Sequence, residues 1–590
     1  MAKNFAEVDV VIVGMGWCGG ILAKELSESG MKVVGLERGA NRTVENDFSV
    51  PHIRDELEYH ARTGLAQNLK KETWTVRNTI TQMALPMRKY GSFIPGDGLG
   101  GSGVHWNGQT WRWTDMEFKI KSNYVERYGK KFIPEDMTIQ DWGITYAELE
   151  PYYDRFEKIA GVSGVAGNLN GQLKKEGNPF EAPRKNQYPL PPLKQSLACD
   201  LFTKAAKDLG YNPFPIATAN ASAAYKNPDG IQFGQCQYCG FCEKFGCESN
   251  AKGSPLNTVI PVALRQPSFE LRTNSWVTKV VMSKDKKNAT GVSYLNTVTG
   301  EECFQAAKIV ILAAFGLNNT QLMLTSGIGQ VYDPVTQKGL IGKNYAYQTG
   351  ANANLFFKDK IFNPFMSAGG LITVMDDFHA NWDFDRTPQN FVGGATIWGG
   401  FFNGRPLEYH PTPPGTPSWG SAWKESMATW YQKTMRIAAN GSVMPNRYNY
   451  LDLDSTYKNS AGTPLMRMTF DYKPNEHKIS TFAAGIIDQI GKSLNPTHMT
   501  KPAPRVTPWN AAVYQSTHNT GGTIMGTDPS NSVVNKHCQS WDLHNLFILG
   551  SSVFPHNSAY NPTGLLGALS YRTADLIKTI YQKNPGKLIT

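Results

Sequence analysis

Four cysteines crowd into one short run, QCQYCGFCEKFGC at residues 235–247, spaced C-x2-C-x2-C-x4-C over Cys236, Cys239, Cys242 and Cys247. Three uses of clustered thiols compete. Structural zinc usually joins two C-x2-C knuckles across a longer loop, which this run lacks. Disulfides stabilise by closing long loops, and the remaining Cys18, Cys199, Cys303 and Cys538 are scattered without a pairing pattern. The triple C-x2-C-x2-C spacing is the one with which a short loop wraps an iron–sulfur cluster. The thiolates are therefore expected to ligate a cluster that takes electrons singly, with a zinc-stabilised binding module as the alternative.

A second pattern lies near the N-terminus. Residues 8–13, VDVVIV, precede GMGWCG, then an amphipathic ILAKELSESG and a second apolar run, KVVGLE, that ends at Glu37. The order is strand, glycine turn, helix, strand, acid. Gly14 permits the tight turn, Gly16 lets backbone N–H groups approach a pyrophosphate, and Gly19 lets the helix pack on the strand. The helix N-terminus then faces the phosphates and Glu37 the ribose hydroxyls. A nucleotide cofactor is expected here.

The elements that must carry these motifs belong to a large globular chain. Its 590 residues are 41% hydrophobic and 18% charged, more than one simple core holds, so two interleaved domains are expected. The net charge is +10, but Lys and Arg form no run of five or six, which argues against a nucleic-acid partner. Such mild basicity fits an anionic substrate only weakly and ordinary solvated surface better. No stretch approaches the ~18 apolar residues of a membrane span. The apolar run at 8–26 has an aspartate at its head, no basic region and no cleavage site, so no export address is expected in it.

Further glycine-rich stretches decide the cofactor. GDGLGGSGVHWNGQTWRW (96–113), AAFGLNNTQLMLTSGIG (313–329), STHNTGGTIMG (516–526), NLFILGSSVFP (545–555) and AYNPTGLLGAL (559–569) together resemble the glucose-methanol-choline oxidoreductase family. The resemblance implies FAD, with Gly100, Gly101, Asn107, Gly550 and Thr563 added to its contacts, and oxidation of an alcohol or sugar. Such a reaction removes a hydroxyl proton and a hydride from one carbon, so it needs a base beside the flavin. By resemblance the base is His518, ahead of Met525-Gly526, and Asn561 holds the substrate hydroxyl; His556 is the rival base. His105, before Trp106, is implied to carry the flavin covalently. Asn561-Pro562 also reads as a helix start, with Asn at the N-cap and Pro at the first helical position.

Within the family, YCGFC (238–242), AKGSP (251–255), FIPEDMTIQDWGITYAELEPYYD (132–154) and YLDLD (450–454) resemble the bacterial membrane-bound gluconate 2-dehydrogenase group. That resemblance implies a dehydrogenase oxidising a secondary hydroxyl of a sugar acid, D-gluconate to 2-dehydro-D-gluconate. It also implies a 3Fe-4S cluster on three of the four cysteines, a small subunit with a twin-arginine signal, and a multihaem cytochrome c subunit that reduces quinone. The chain would then be a peripheral subunit on the periplasmic side of the inner membrane. Alternatives are 2-keto-gluconate, an aldose or the C3 hydroxyl of a glucoside as substrate, or a non-catalytic electron-transfer flavoprotein.

The expected fold is α/β: a discontinuous Rossmann-like FAD-binding domain (1–130, 235–344 with the cysteine loop, and 500–590), a connecting or lid insertion (131–234), and an α+β substrate domain (345–499) with an antiparallel sheet backed by helices. PLPPLKQ (189–195) and HPTPPGTPSWG (410–420) read as surface loops. Five tryptophans fall within 382–430 (Trp382, Trp398, Trp419, Trp423, Trp430); core packing explains most of them better than sugar stacking.

Overall fold

The computed structural model describes residues 2–48, 55–401, 405–513 and 516–589. The N-terminal β-branched run lies in the strand Lys3–Val13, whose buried end, Val10–Val13, is central to a seven-stranded sheet. The strand is longer than VDVVIV because Lys3–Phe5 also pair with Cys303–Gln305. Across the sheet the order is Phe269–Arg272, Val33–Leu36, Lys3–Val13, Glu302–Leu312, Ala289–Asn296 and Ser275–Met282, and Leu546–Ile548 joins the far end of Glu302–Leu312. The strands around Lys3–Val13 are parallel, while the last two return antiparallel. Parallel strands are covered on both faces, which is why VVIV and VVGL read as unbroken apolar runs. The crossover helix Trp17–Glu28 is buried along nearly its whole length and packs on Thr563–Leu576 and Val259–Leu264.

A second, six-stranded sheet is antiparallel throughout, in the order His498–Met499, Thr349–Phe356, Thr434–Gly441, Ala395–Gly400, Ile372–Phe378, Pro213–Pro215. Period-2 alternation gives it two unlike faces. Ala353, Leu355, Met435 and Ile437 join the core beneath the helices Leu197–Asp208 and Pro474–Ser493, whereas Asn352, Arg436, Ala438 and Asn440 line a cavity. Its edge strand comes from residues read in the sequence as a connecting insertion. Two of its three residues are prolines, which lack the N–H that an inner strand must donate. A four-stranded sheet, Tyr450–Lys458, Pro464–Thr469, Trp74–Arg77 and Leu85–Pro86, packs beside these two.

The last long helix starts at Thr563, with Pro562 in the capping position. Asn561 is therefore one residue too early to be the predicted N-cap, and its side chain serves other partners, described below. Packed on this helix is Tyr146–Ala160, opened by a Thr145/Glu148 capping box and closed by Gly161 in the left-handed region. Its Glu157 is buried and accepts from Arg112 Nε at 2.7 Å and Nη2 at 2.8 Å and from Arg184. Burial alone would raise the Glu157 pKa, but the two guanidinium charges outweigh it and hold the carboxyl below its usual range. Replacing the charge leaves buried Arg184 without its carboxylate and Arg112 with Glu150 alone, so Glu157→Gln is expected to cost about 3–5 kcal/mol, read as an earlier thermal unfolding transition.

Candidate active site

The two sheets and the loops between them enclose a cavity of about 420 Å³. It runs from the first glycine turn to the antiparallel sheet, and a ligand-sized cleft at the carboxyl ends of parallel strands is where an α/β fold binds nucleotides. Gly14 has φ +91°, and a Cβ on Gly19 would lie 1.9 Å from the Gly14 carbonyl oxygen, so both positions need glycine. Glu37 accepts from Met15 N at 3.0 Å and Gly39 N at 2.9 Å, and burial raises its carboxyl pKa. The second glycine loop meets the first: Gly100 N donates to Met15 O at 3.0 Å, and a Cβ on Gly101 would come within 3.5 Å of Gly16 Cα. Gly16, Gly101, Glu37, Asn107, Gly550 and Thr563 all line the cavity.

His105 lines it as well. Its Nε2 is buried without a hydrogen-bond partner, and burial pushes its imidazole down to about 3. An imidazole nitrogen kept dry, neutral and unengaged fits attachment to a flavin. The backbone cradle and this nitrogen together fit FAD.

At the other end the structure brings His518 and Asn561 together. Asn561 Nδ2 lies 3.1 Å from His518 Nε2, and His518 Nδ1 lies 2.9 Å from Gln348 Oε1. Trp111 Nε1 donates to Asn561 Oδ1 at 3.0 Å, and Trp111 stacks on Tyr560 with ring centres 4.3 Å apart. One side of His518 faces the cavity, yet burial pushes the imidazole down to about 4. The imidazole is thus unprotonated at neutral pH. The rival, His556, is fully buried, accepts from Trp142 Nε1 at 3.3 Å through Nδ1 and is not on the cavity wall.

The four cysteines sit behind the flavin loop and off the cavity wall, which their loop reaches through Glu243. Lys244 N donates to His105 O at 2.7 Å. The buried Lys252 Nζ donates to Trp106 O at 2.7 Å, Cys242 O at 2.7 Å and Phe245 O at 2.8 Å, pinning the loops together. All eight cysteines carry free thiols. Burial raises the Cys236 and Cys242 thiols; neighbouring cysteines add to the rise at both, and the Lys252 ammonium opposes it at Cys242. Cys239 and Cys247 are half-buried. Among the described residues no three Cys, His, Asp or Glu side chains converge on a point where one metal ion could be held.

Sequence reasoning missed several residues. Gln348 and Arg505 carry no local motif and reach the cavity only through strand register and a returning loop. Trp111 and Lys252 stood inside quoted motifs, but the contacts that matter are tertiary. Of the clustered tryptophans only Trp398 lines the cavity; Trp382 packs on Tyr124, Trp430 on Phe356, and Trp419 is 81% exposed.

Comparison with known proteins shows the family. The N-terminal GMC oxidoreductase profile matches residues 140–349 and the C-terminal one residues 445–570. The chain is 44% identical over its whole length to the gluconate 2-dehydrogenase flavoprotein of Pantoea cypripedii, covering 96% of that protein. It is 25% identical to the fructose dehydrogenase large subunit of Gluconobacter japonicus, over 98% of this chain and 99% of that one. The crystal structure of pyridoxine 4-oxidase from Mesorbium loti superposes with a TM-score of 0.57 at 14% identity, covering 96% of this chain and 98% of that one, and so shares the fold. The chain belongs to the GMC oxidoreductase family and is an FAD-dependent dehydrogenase of mixed α/β fold.

Proposed function

We propose that the chain is the flavoprotein subunit of a sugar-acid dehydrogenase that oxidises a secondary hydroxyl, D-gluconate to 2-dehydro-D-gluconate. The observation that carries this reading is the His518–Asn561 pair on a cavity wall that also bears Arg436 and Arg505. FAD supplies the hydride acceptor. His518 takes the hydroxyl proton at Nε2, where the substrate hydroxyl displaces the Asn561 N–H, and the freed Asn561 amide donates to the alcohol oxygen. The N-terminus of the helix Thr563–Leu576, at the cavity, favours negative charge developing there. The guanidinium groups suit a substrate carboxylate, which favours a sugar acid over a neutral sugar. In the family relative named above as a gluconate 2-dehydrogenase flavoprotein, the same substrate class appears in the name.

In this reading Gly14, Gly16, Gly19, Glu37, Gly100, Gly101, Asn107, Gly550 and Thr563 hold FAD, and His105 Nε2 carries it covalently. Cys236, Cys239, Cys242 and Cys247 supply the ligands of an iron–sulfur cluster of the 3Fe-4S type, three of the four sufficing, and such a cluster offers a one-electron exit. A polynuclear cluster takes its thiolates at separate irons, which suits thiols that share one environment without converging on a point. Residues 1–130, 235–344 and 500–590 form the FAD-binding domain, 131–234 a connecting insertion and 345–499 the substrate domain. The partners are a small subunit with a twin-arginine signal and a multihaem cytochrome c that passes electrons to quinone, on the periplasmic side of the inner membrane. The relatives' names, a flavoprotein and a large subunit, accord with such an assembly. Among the described residues no helix is long and apolar enough to cross a membrane, and a peripheral subunit needs none.

One anaerobic preparation tests most of this. Gluconate is expected to bleach the flavin band of the wild-type protein, and His518→Ala to slow that bleaching by about 10²–10⁴-fold. Iron without zinc is expected on metal analysis, and yellow colour in the acid-precipitated polypeptide. Bleaching by an aldose or glucoside but not by gluconate would move the substrate to a neutral sugar. A second expectation concerns charge: Arg505→Met should raise KM for gluconate by about 10-fold or more, in line with the ~1.5–3 kcal/mol of a charge-assisted hydrogen bond, while leaving oxidation of neutral polyols unchanged. Equal effects on both would remove Arg505 from carboxylate recognition.

A further inference from the structure

We infer that Gln348 and Trp111 are positioning residues that lock His518 into its Nδ1–H tautomer, so that the lone pair lies on Nε2, where a substrate hydroxyl takes the place of the Asn561 N–H. The inference rests on the reading of His518 as the base and adds what makes it one. Two amide side chains flank the imidazole, and each has its orientation fixed by a partner that can only donate or only accept.

On one side, Gln348 Nε2 is 3.3 Å from the carbonyl oxygen of Ala559 and 3.5 Å from that of Ser558. Carbonyl oxygens cannot donate, so the amide nitrogen must face them, and Oε1 must face His518 Nδ1 at 2.9 Å. An amide oxygen cannot donate either. The proton between them therefore belongs to Nδ1. On the other side, indole Nε1 of Trp111 is a donor without an acceptor function, so the Asn561 atom 3.0 Å away is Oδ1. That turns Asn561 Nδ2 to His518 Nε2 at 3.1 Å, and Nε2 must accept. Each clamp alone specifies the tautomer, and the two agree.

The clamps are themselves held. Gln348 is 1% exposed, and its carbonyl accepts from Tyr472 OH at 3.0 Å. Trp111 lies flat on Tyr560, at 9° between ring planes, and Tyr560 OH donates to the buried Asp376. Asn557 Nδ2 fixes the His518 backbone by donating to its carbonyl at 2.6 Å. Neither clamp carries charge. When an alcohol is oxidised to the ketone here, bound FAD would supply the acceptor for the hydride of its C–H bond, and Nε2 would take the O–H proton. The imidazolium keeps Nδ1–H on Gln348, and an amide oxygen does not take that proton at neutral pH. The proton must then leave by the nitrogen through which it arrived, after the product clears the cavity.

The test is stopped-flow flavin reduction in the holoenzyme as a function of pH, with the sugar or sugar acid that bleaches the flavin fastest. Gln348→Met keeps the length of the side chain and removes the acceptor; it is expected to slow flavin reduction by about 10–100-fold with little change in substrate half-saturation, flavin content or melting temperature. Gln348→Glu places a carboxylate on Nδ1 and is expected to shift the acidic limb upward by about 1–3 pH units, because it stabilises the imidazolium. Trp111→Phe attacks the other clamp and should also slow reduction. Wild-type rates in both Gln348→Met and Trp111→Phe, or an unmoved acidic limb in Gln348→Glu, overturn the lock even if His518→Ala is inactive. Should His518→Ala bleach at the wild-type rate, the base assignment fails and the lock falls with it. If Gln348→Met loses flavin or melts early, the pH limb of Gln348→Glu and the rate of Trp111→Phe decide.

Discussion

The hydrogen bond from Asn561 to His518 joins side chains 43 residues apart, and the architecture around it serves to make them meet. After Leu546–Ile548 pairs with Glu302–Leu312, the chain leaves the sheet at Gly550, and residues 551–553 run alongside the loop that carries His518. Gly521 N donates to Ser551 O, Thr523 N to Ser552 O and Met525 N to Val553 O, at 3.0, 3.0 and 2.8 Å. These backbone bonds set the register of the histidine loop against the segment leading to Asn561 before any side chain is placed. What they create is an imidazole that burial keeps neutral. Burial lowers the imidazole pKa, and the same burial obliges every nearby polar atom to find a partner. The amide clamps answer that obligation.

The same economy of burial shapes the opposite wall. An ammonium sunk to 1% exposure near Cys239, Cys242 and Cys247 is costly unless its three N–H groups are met, and Lys252 meets them with three carbonyls from two loops. Burial lowers its pKa, and the nearby cysteines, when ionised, raise it, so thiolates and ammonium stabilise one another. Because one carbonyl belongs to Trp106, this compensation also fixes the spacing between the His105 loop and the cysteine loop.

How much of this the sequence disclosed depended on whether the information was local. Strand, glycine turn, helix and Glu37 are contiguous, so the nucleotide half of the fold could be read from 30 residues, and the apolar VVIV announced a parallel, doubly covered strand. His518 and Asn561 were legible through the motifs around them, although the helix start at 561–562 was misplaced because Asn561 is a good cap in isolation and here is claimed by Trp111. Gln348 was invisible. It precedes a strand whose cavity face is apparent only once Thr434–Gly441 is paired with it in register, Gly350 opposite Asn440. The Pro213–Pro215 edge strand was hidden for a similar reason, since proline-rich segments read as loops until a sheet offers them an edge.

The choice of a neutral amide at 348 has a consequence for what the cavity can accept. A carboxylate in that place would orient the imidazole equally well and would stabilise the imidazolium more. It would also raise the resting pKa, protonating the base nearer neutral pH, and would set a negative charge one ring away from the bound substrate. For an anionic sugar acid that charge would oppose the attraction supplied by Arg436 and Arg505 on the same wall. Gln348 supplies orientation without adding a charge beside the imidazole, so the cavity's field is set by its other lining groups, Arg436 and Arg505 among the cations and Glu72, Glu243 and Glu408 among the carboxylates. Tautomer control and substrate charge are thereby linked at a single side chain.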